Sequence, residues 1–132
     1  MPKPAYKPKY LGKPVKGPIS DVELIPWEGG RILISLDCTE FTTICPVTQQ
    51  PDFGRLEITY IPEKHLIETK SLKLFLQGFR DYKGFNEQVV DHLADKLFAR
   101  VKPVWICVEG FYNRRGGIGV SCRCERGNKA WP

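Results

Sequence analysis

The sequence predicts an α+β fold in which two helices are inserted between two antiparallel strand pairs. Three observations carry this reading. Arg55 to Ile61 alternates Leu56, Ile58 and Tyr60 with Arg55, Glu57 and Thr59, the period-two pattern of a half-buried strand. Ile67, Ser71, Leu74, Phe75, Gly78 and Phe79 recur three or four apart, as do Phe85, Val89, Leu93 and Leu97, the spacing of helix faces. Ile118, Val120, Cys122 and Cys124 then alternate against Gly119, Ser121, Arg123 and Glu125, a return to period two.

Taken in order, RILISL at Arg31 to Leu36 reads as the first strand, and the Thr- and Pro-rich run to Gly54 as a loop. Arg55 to Ile61 is the second strand. Pro62 and Glu63 turn the chain into a helix over Leu66 to Arg80, which Gly84 separates from a second helix ending before Pro103. Val104 to Tyr112 is a strand apolar on both faces, Asn113 to Gly117 a tight connection, and the segment from Ile118 the last strand. The order β-β-α-α-β-β gives a four-stranded antiparallel sheet with helices on one side. Sheet edges so exposed are economically covered by other copies, so an oligomer is expected.

A chain of 132 residues is sized for one domain. Residues 1–20 hold five prolines and five lysines without an acidic residue, and are expected to be a flexible basic arm ahead of a single domain at 21–132. The net charge of +5 resides there: removing Lys3, Lys7, Lys9, Lys13 and Lys16 from 20 basic residues leaves 15 against 15 acidic ones. A neutral body argues against a nucleic-acid-binding domain. No apolar run is long enough to cross a bilayer and no signal-peptide core is seen, so a cytoplasmic protein without a membrane partner is expected. Five cysteines are an odd number, better read as reduced thiols than as a disulfide framework.

Three segments could carry chemistry. Cys45 and Asp52 share a loop, where a thiol and a carboxyl can act as nucleophile and proton donor, although a structural cysteine and an Asx turn would look the same. Lys70 and Lys73 stand on one side of the first helix, where they could hold phosphates or simply face solvent. Arg114 and Arg115 precede Gly116 and Gly117 in the last hairpin, either as solvated turn residues or as a guanidinium fork for a phosphate. Any dinucleotide would bind outside a Rossmann fold, since G-x-G-x-x-G does not occur. No metal is expected: there is no C-x-x-C pair, and only His65 and His92 could join Cys107, Cys122 and Cys124.

Together these segments resemble the queuosine-pathway nitrile reductases, the NADPH-dependent 7-cyano-7-deazaguanine reductases. ETKSLKLF, Glu68 to Phe75, is similar to the family's cofactor motif at every position except Thr69. FTTICPVTQQPDFG resembles the catalytic loop and RRGG at 114–117 the C-terminal hairpin, within a likeness running from about Ser35 to Glu125. The resemblance implies the tunnelling fold, in which sheets from several subunits close a barrel with sites between subunits. Here it would be the short single-module form, assembled as two pentamers in a decamer. It implies Cys45 as nucleophile and Asp52 as proton donor. Ile67, Glu68, Thr69, Asn86 and Glu87 would contact substrate, and Thr69, Lys70, Ser71, Lys73, Arg115 and Gly116 would contact NADPH. Glu87 makes physical sense as the anchor, since a carboxylate accepts two hydrogen bonds from a guanine-like edge. Asn86 stands where many members carry histidine, and an amide can hydrogen-bond but cannot titrate. The implied reaction reduces the nitrile of 7-cyano-7-deazaguanine to an aminomethyl group through a cysteine thioimide. Two rivals are a tunnelling-fold amidinotransferase acting on the nitrile in tRNA, against which ETKSLKLF argues, and a non-catalytic purine- or RNA-binding subunit.

Overall fold

The computed structural model describes residues 6–9 and 18–129, so most of the expected arm lies outside the described residues. Four antiparallel strands, β2 (Ile34–Ile44), β3 (Pro51–Ile61), β5 (Trp105–Tyr112) and β6 (Ser121–Gly127), form one sheet in the order β2-β3-β5-β6. Helices α1 (Thr69–Gln77) and α2 (Asn86–Val101) connect β3 to β5 and cover one face. Two short strands absent from the expected pattern, β1 (Leu24–Pro26) and β4 (His65–Ile67), pair beside the main sheet.

The helix-facing side of the sheet is set by strict alternation. Leu56, Ile58 and Tyr60 of β3 lie opposite Gly110, Val108 and Ile106 of β5, and apart from the glycine all are buried against Val89, Val90, Leu93 and Leu97 of α2. The other face has a small cluster of Ile61, Trp105 and Cys107. Beyond it lie ion pairs of Arg55 with Asp37 (3.2 Å) and Glu57 (3.3 Å), and of Arg123 with Glu125 (2.7 Å). Strands β2 and β6 are the sheet's two edges within the chain.

Several boundaries differ from expectation. The second long strand starts at Pro51 rather than Arg55, which takes Asp52 out of the expected loop and into β3. The first long strand starts at Ile34 rather than Arg31 and runs to Ile44, absorbing most of the segment read as a loop. Past a register irregularity between Cys38 and Phe41, the buried residues Phe41, Thr43 and Cys45 alternate with half-buried Thr42 and Ile44. FTTI is therefore a strand of β-favouring residues whose polar composition hides its period. The first helix starts at Thr69 rather than Leu66, because Glu68 caps it and His65–Ile67 pair with β1. The last strand starts at Ser121, and Ile118, expected inside, is 69% exposed at the hairpin tip. Gly116 and Gly117 turn that tip with φ of 58° and 80°, angles that side chains with a Cβ rarely adopt.

Candidate active site

Cys45 follows the last residue of β2 and opens a tight loop. Its N–H donates to the Gln50 carbonyl at 2.9 Å, its carbonyl accepts from the Gln49 N–H at 3.0 Å, and Gln49 takes φ of 61° to close the turn. This folding turns the Thr48 hydroxyl and the Thr48 and Val47 N–H groups toward the sulfur, with the Arg115 guanidinium beyond them. Those donors favour the thiolate and hold the Cys45 thiol down at about 7. The other four cysteines go the opposite way. Burial pushes Cys38 and Cys107 up to about 11, and raises Cys122 and Cys124 as well. Iodoacetamide should therefore label Cys45 first, with a rate that rises through pH about 7, while Cys38 stays slow; peptide mapping across a pH series checks this. Equal labelling of the five, or a midpoint near 9, would remove the activated thiol.

Asp52 is 4% exposed, and its carboxylate meets Arg115 Nη1 at 2.6 Å. Arg115 is held by the hairpin tip, where its N–H and carbonyl bond the Ile118 carbonyl and N–H at 3.0 and 3.1 Å. Expected on a cofactor phosphate, this guanidinium stands between the sulfur and the carboxylate. Gly116 lies beside it at the tip with no neighbouring atom within 4 Å of a built Cβ.

The connection between the helices delivers Asn86 and Glu87 to the same place. The Ile44 N–H donates to the Tyr82 carbonyl at 2.9 Å and the Gly84 N–H to the Ile44 carbonyl at 3.2 Å, tying the chain to the end of β2 just before α2 begins. Asn86, 8% exposed, and Glu87 form the first turn of α2, where the helix dipole favours a carboxylate. Glu87 and Asp52 both act on Tyr112 electrostatically, so both carboxylates lie near that residue. Cys45, Asp52, Asn86, Glu87 and Arg115 thus converge at one end of the sheet.

Ile67, Glu68 and Thr69 lie at the other end. The Ile67 N–H donates to the Tyr60 hydroxyl at 2.9 Å. Tyr60 is eight residues along β3 from Asp52, about 26 Å of extended strand. Both Glu68 carboxylate oxygens cap α1, accepting the Lys70 and Ser71 N–H groups at 2.7 Å each. The Ser71 hydroxyl donates to the Glu68 carbonyl and accepts the Glu23 N–H, both at 2.7 Å, so this side chain serves the helix start. Thr69 and Lys73 border a groove of about 430 Å³ between α1 and β2, with Leu36 and Leu72 in its lining and Arg80 at its far end. An apolar groove flanked by Lys73 and Arg80, with Lys70 one turn away, suits a heterocycle that carries phosphates. Within one chain, then, the expected substrate contacts fall into two groups at opposite ends of the sheet.

Residues outside the expected set also enter. Thr48 touches the sulfur, and a hydroxyl three residues after a cysteine in a turn could have pointed to it. Thr43 lies across from Asp52, and Tyr112 across from Gly54. Neither could be found without the strand register.

Comparisons with known proteins bear on the family and the fold. The family model described as QueF-like protein matches residues 51–131. The NADPH-dependent 7-cyano-7-deazaguanine reductase of Zymomonas mobilis subsp. mobilis is 42% identical over 102 residues, covering 77% of this chain and 69% of that protein. The protein of the same name from Parvibaculum lavamentivorans is 37% identical over 131 residues, covering 95% of this chain and 85% of its own length. Among solved structures, the archaeosine synthase QueF-Like in its apo form matches with a TM-score of 0.68 at 23% identity, covering 73% of this chain and 94% of that one. That likeness bears out the α+β tunnelling-fold module.

Proposed function

The chain belongs to the QueF-like family of 7-cyano-7-deazaguanine reductases, and on that premise we propose that it reduces the nitrile of 7-cyano-7-deazaguanine to the primary amine through a thioimide on Cys45. The observation that carries the reading is one activated thiol and one buried carboxylate, both reached by Arg115, at the end of the sheet that also holds Glu87.

A nitrile carbon is a poor hydride acceptor, and covalent attachment divides the reduction into easier steps. Near neutral pH a large share of Cys45 is thiolate, since its thiol is held at about 7. As the sulfur adds to the nitrile carbon, the proton given up by the Cys45 thiol passes by way of the Asp52 carboxylate to nitrogen, giving C(=NH)–S with nothing expelled. NADPH, when bound, supplies the two hydrides that carry this carbon to the amine level. When the C–S bond breaks, the sulfur leaves as thiolate, which the Thr48 and Val47 donors are placed to stabilise. Arg115, which reaches both the Cys45 sulfur and Asp52, keeps the carboxylate from turning to solvent. Glu87 would accept the two N–H groups of the lactam and amino edge.

The split contact set supports a site built between subunits. One copy would bring Cys45, Asp52, Asn86 and Glu87, and its neighbour Ile67, Glu68, Thr69, Lys70 and Lys73, through pairing of the β2 and β6 edges. A closed homo-oligomer, two stacked pentamers, follows from this reading.

The test mixes protein, 7-cyano-7-deazaguanine and NADPH, and follows loss of nicotinamide absorbance together with formation of the amine by mass. Two NADPH per amine are expected, and kcat/KM for NADH should be lower by about tenfold or more if Lys70 and Lys73 hold phosphate. No turnover would overturn the function; equal constants for the two cofactors would overturn the assignment of the lysines.

A further inference from the structure

Three buried oxygen atoms at the Cys45 end of the sheet have no hydrogen-bond partner among the described residues: Thr43 Oγ1, Asn86 Oδ1 and the Tyr112 hydroxyl. Their side chains are 0%, 8% and 8% exposed. Leaving a buried polar atom unpaired costs free energy that a folded protein normally avoids, and three together are unusual outside a ligand site.

They share a face. Thr43 lies opposite Asp52 on β3, and Tyr112 opposite Gly54, two residues further along the same side. Thr43 also faces the Tyr112 hydroxyl, without either reaching hydrogen-bond geometry. Asn86 adjoins Glu87 in the first turn of α2. Two glycines seat the Tyr112 ring: a Cβ on Gly54 would meet Tyr112 Cδ1 at 3.2 Å and the Phe111 carbonyl at 2.7 Å, and one on Gly110 would meet Tyr112 Cε2 at 3.2 Å. The ring is thus fixed with its hydroxyl aimed into the end of the sheet.

The groups around that hydroxyl are Asp52 on β3, Cys122 on β6, Glu87 on α2 and Thr43 on β2. Burial, with Cys122, Asp52 and Glu87 adding to it, drives the phenol upward, so at neutral pH it carries its proton and can donate.

We propose that Tyr112 is a substrate-contacting, specificity-determining residue, whose hydroxyl, with Thr43, donates to the lactam oxygen of the substrate while Asn86 Oδ1 accepts a ring N–H. This rests on the nitrile-reductase reading of the site. In a 7-cyano-7-deazaguanine the lactam oxygen lies between the amide and amino edge, assigned to Glu87, and the nitrile, assigned to Cys45 and Asp52. Tyr112 lies near both carboxylates, opposite Gly54 on the strand face that carries Asp52. Its hydroxyl supplies a donor there, which neither carboxylate can, and the ligand would give the three orphan oxygens partners.

Tyr112→Phe keeps the ring between its glycines and removes the hydroxyl alone; Thr43→Val does the same for its partner. In Tyr112→Phe the KM for 7-cyano-7-deazaguanine should rise about tenfold, the effect of one lost hydrogen bond to ligand. The KM for NADPH should stay unchanged. The thermal midpoint of the substrate-free protein should hold or increase, because no protein hydrogen bond is lost. Thr43→Val should follow the same pattern. An unchanged substrate KM in both variants, or a parallel rise in both KM values with a lower thermal midpoint, would overturn the proposal. Wild-type turnover measured alongside separates the two failures. An inactive wild type sinks the parent reading and this one with it, whereas an active wild type matched by both variants sinks this one alone.

Discussion

Replacing Cys45 with alanine should abolish nitrile reduction, lowering kcat by about four orders of magnitude or more, since the covalent step has no substitute. The same variant should fail to form an adduct. Wild-type protein given 7-cyano-7-deazaguanine without NADPH should gain the mass of one intact substrate molecule, because addition to a triple bond expels nothing. Cys38→Ser should keep both adduct and turnover: burial and Asp37 hold that thiol up at about 11, where hardly any thiolate exists at neutral pH. Asp52→Asn should still bind substrate but turn over slowly, as proton delivery fails. An adduct mapped to another cysteine, or a Cys45→Ala protein that still makes amine, would end the assignment of this loop.

The second large effect concerns assembly. If one copy supplies Cys45 and its neighbour supplies Lys73, then Cys45→Ala and Lys73→Ala proteins should each be nearly inactive by themselves. Dissociated, mixed and reassembled, they should recover up to about a quarter of wild-type activity, because random pairing leaves that share of sites with both intact halves. A site contained within one chain would recover nothing, as every chain would carry one lesion. Sedimentation of the active species should show a multimer, and an active monomer would refute the divided site.

What the sequence disclosed and what it withheld have physical reasons. Cys45 and Asp52 could be considered together from the sequence because thiol and carboxyl lie close in the chain, although Asp52 sits on β3 rather than in the expected loop. Both helices were legible because their apolar faces repeat. Strand β2 was underread past Leu36, since threonines supply β propensity without the hydrophobicity by which alternation is recognised. Thr43 and Tyr112 stayed hidden because facing residues depend on register, and register is a property of the folded sheet. Arg115 was noticed without its partner: a guanidinium in a hairpin suits phosphate or carboxylate equally, and only the fold puts Asp52 2.6 Å away. The separation of Glu68 from Glu87 had no local signal at all.

Glu68 opens the segment that resembles the family's cofactor motif and, through both carboxylate oxygens, fastens the first turn of α1. The segment is therefore a folding instruction, whatever chemistry it also serves. A Glu68→Ala protein would lose a cap worth about 1 kcal/mol and slacken the backbone that presents Thr69, Lys70 and Lys73. Evolutionary retention of this glutamate would then follow from helix nucleation even in a descendant that no longer handled a nucleotide.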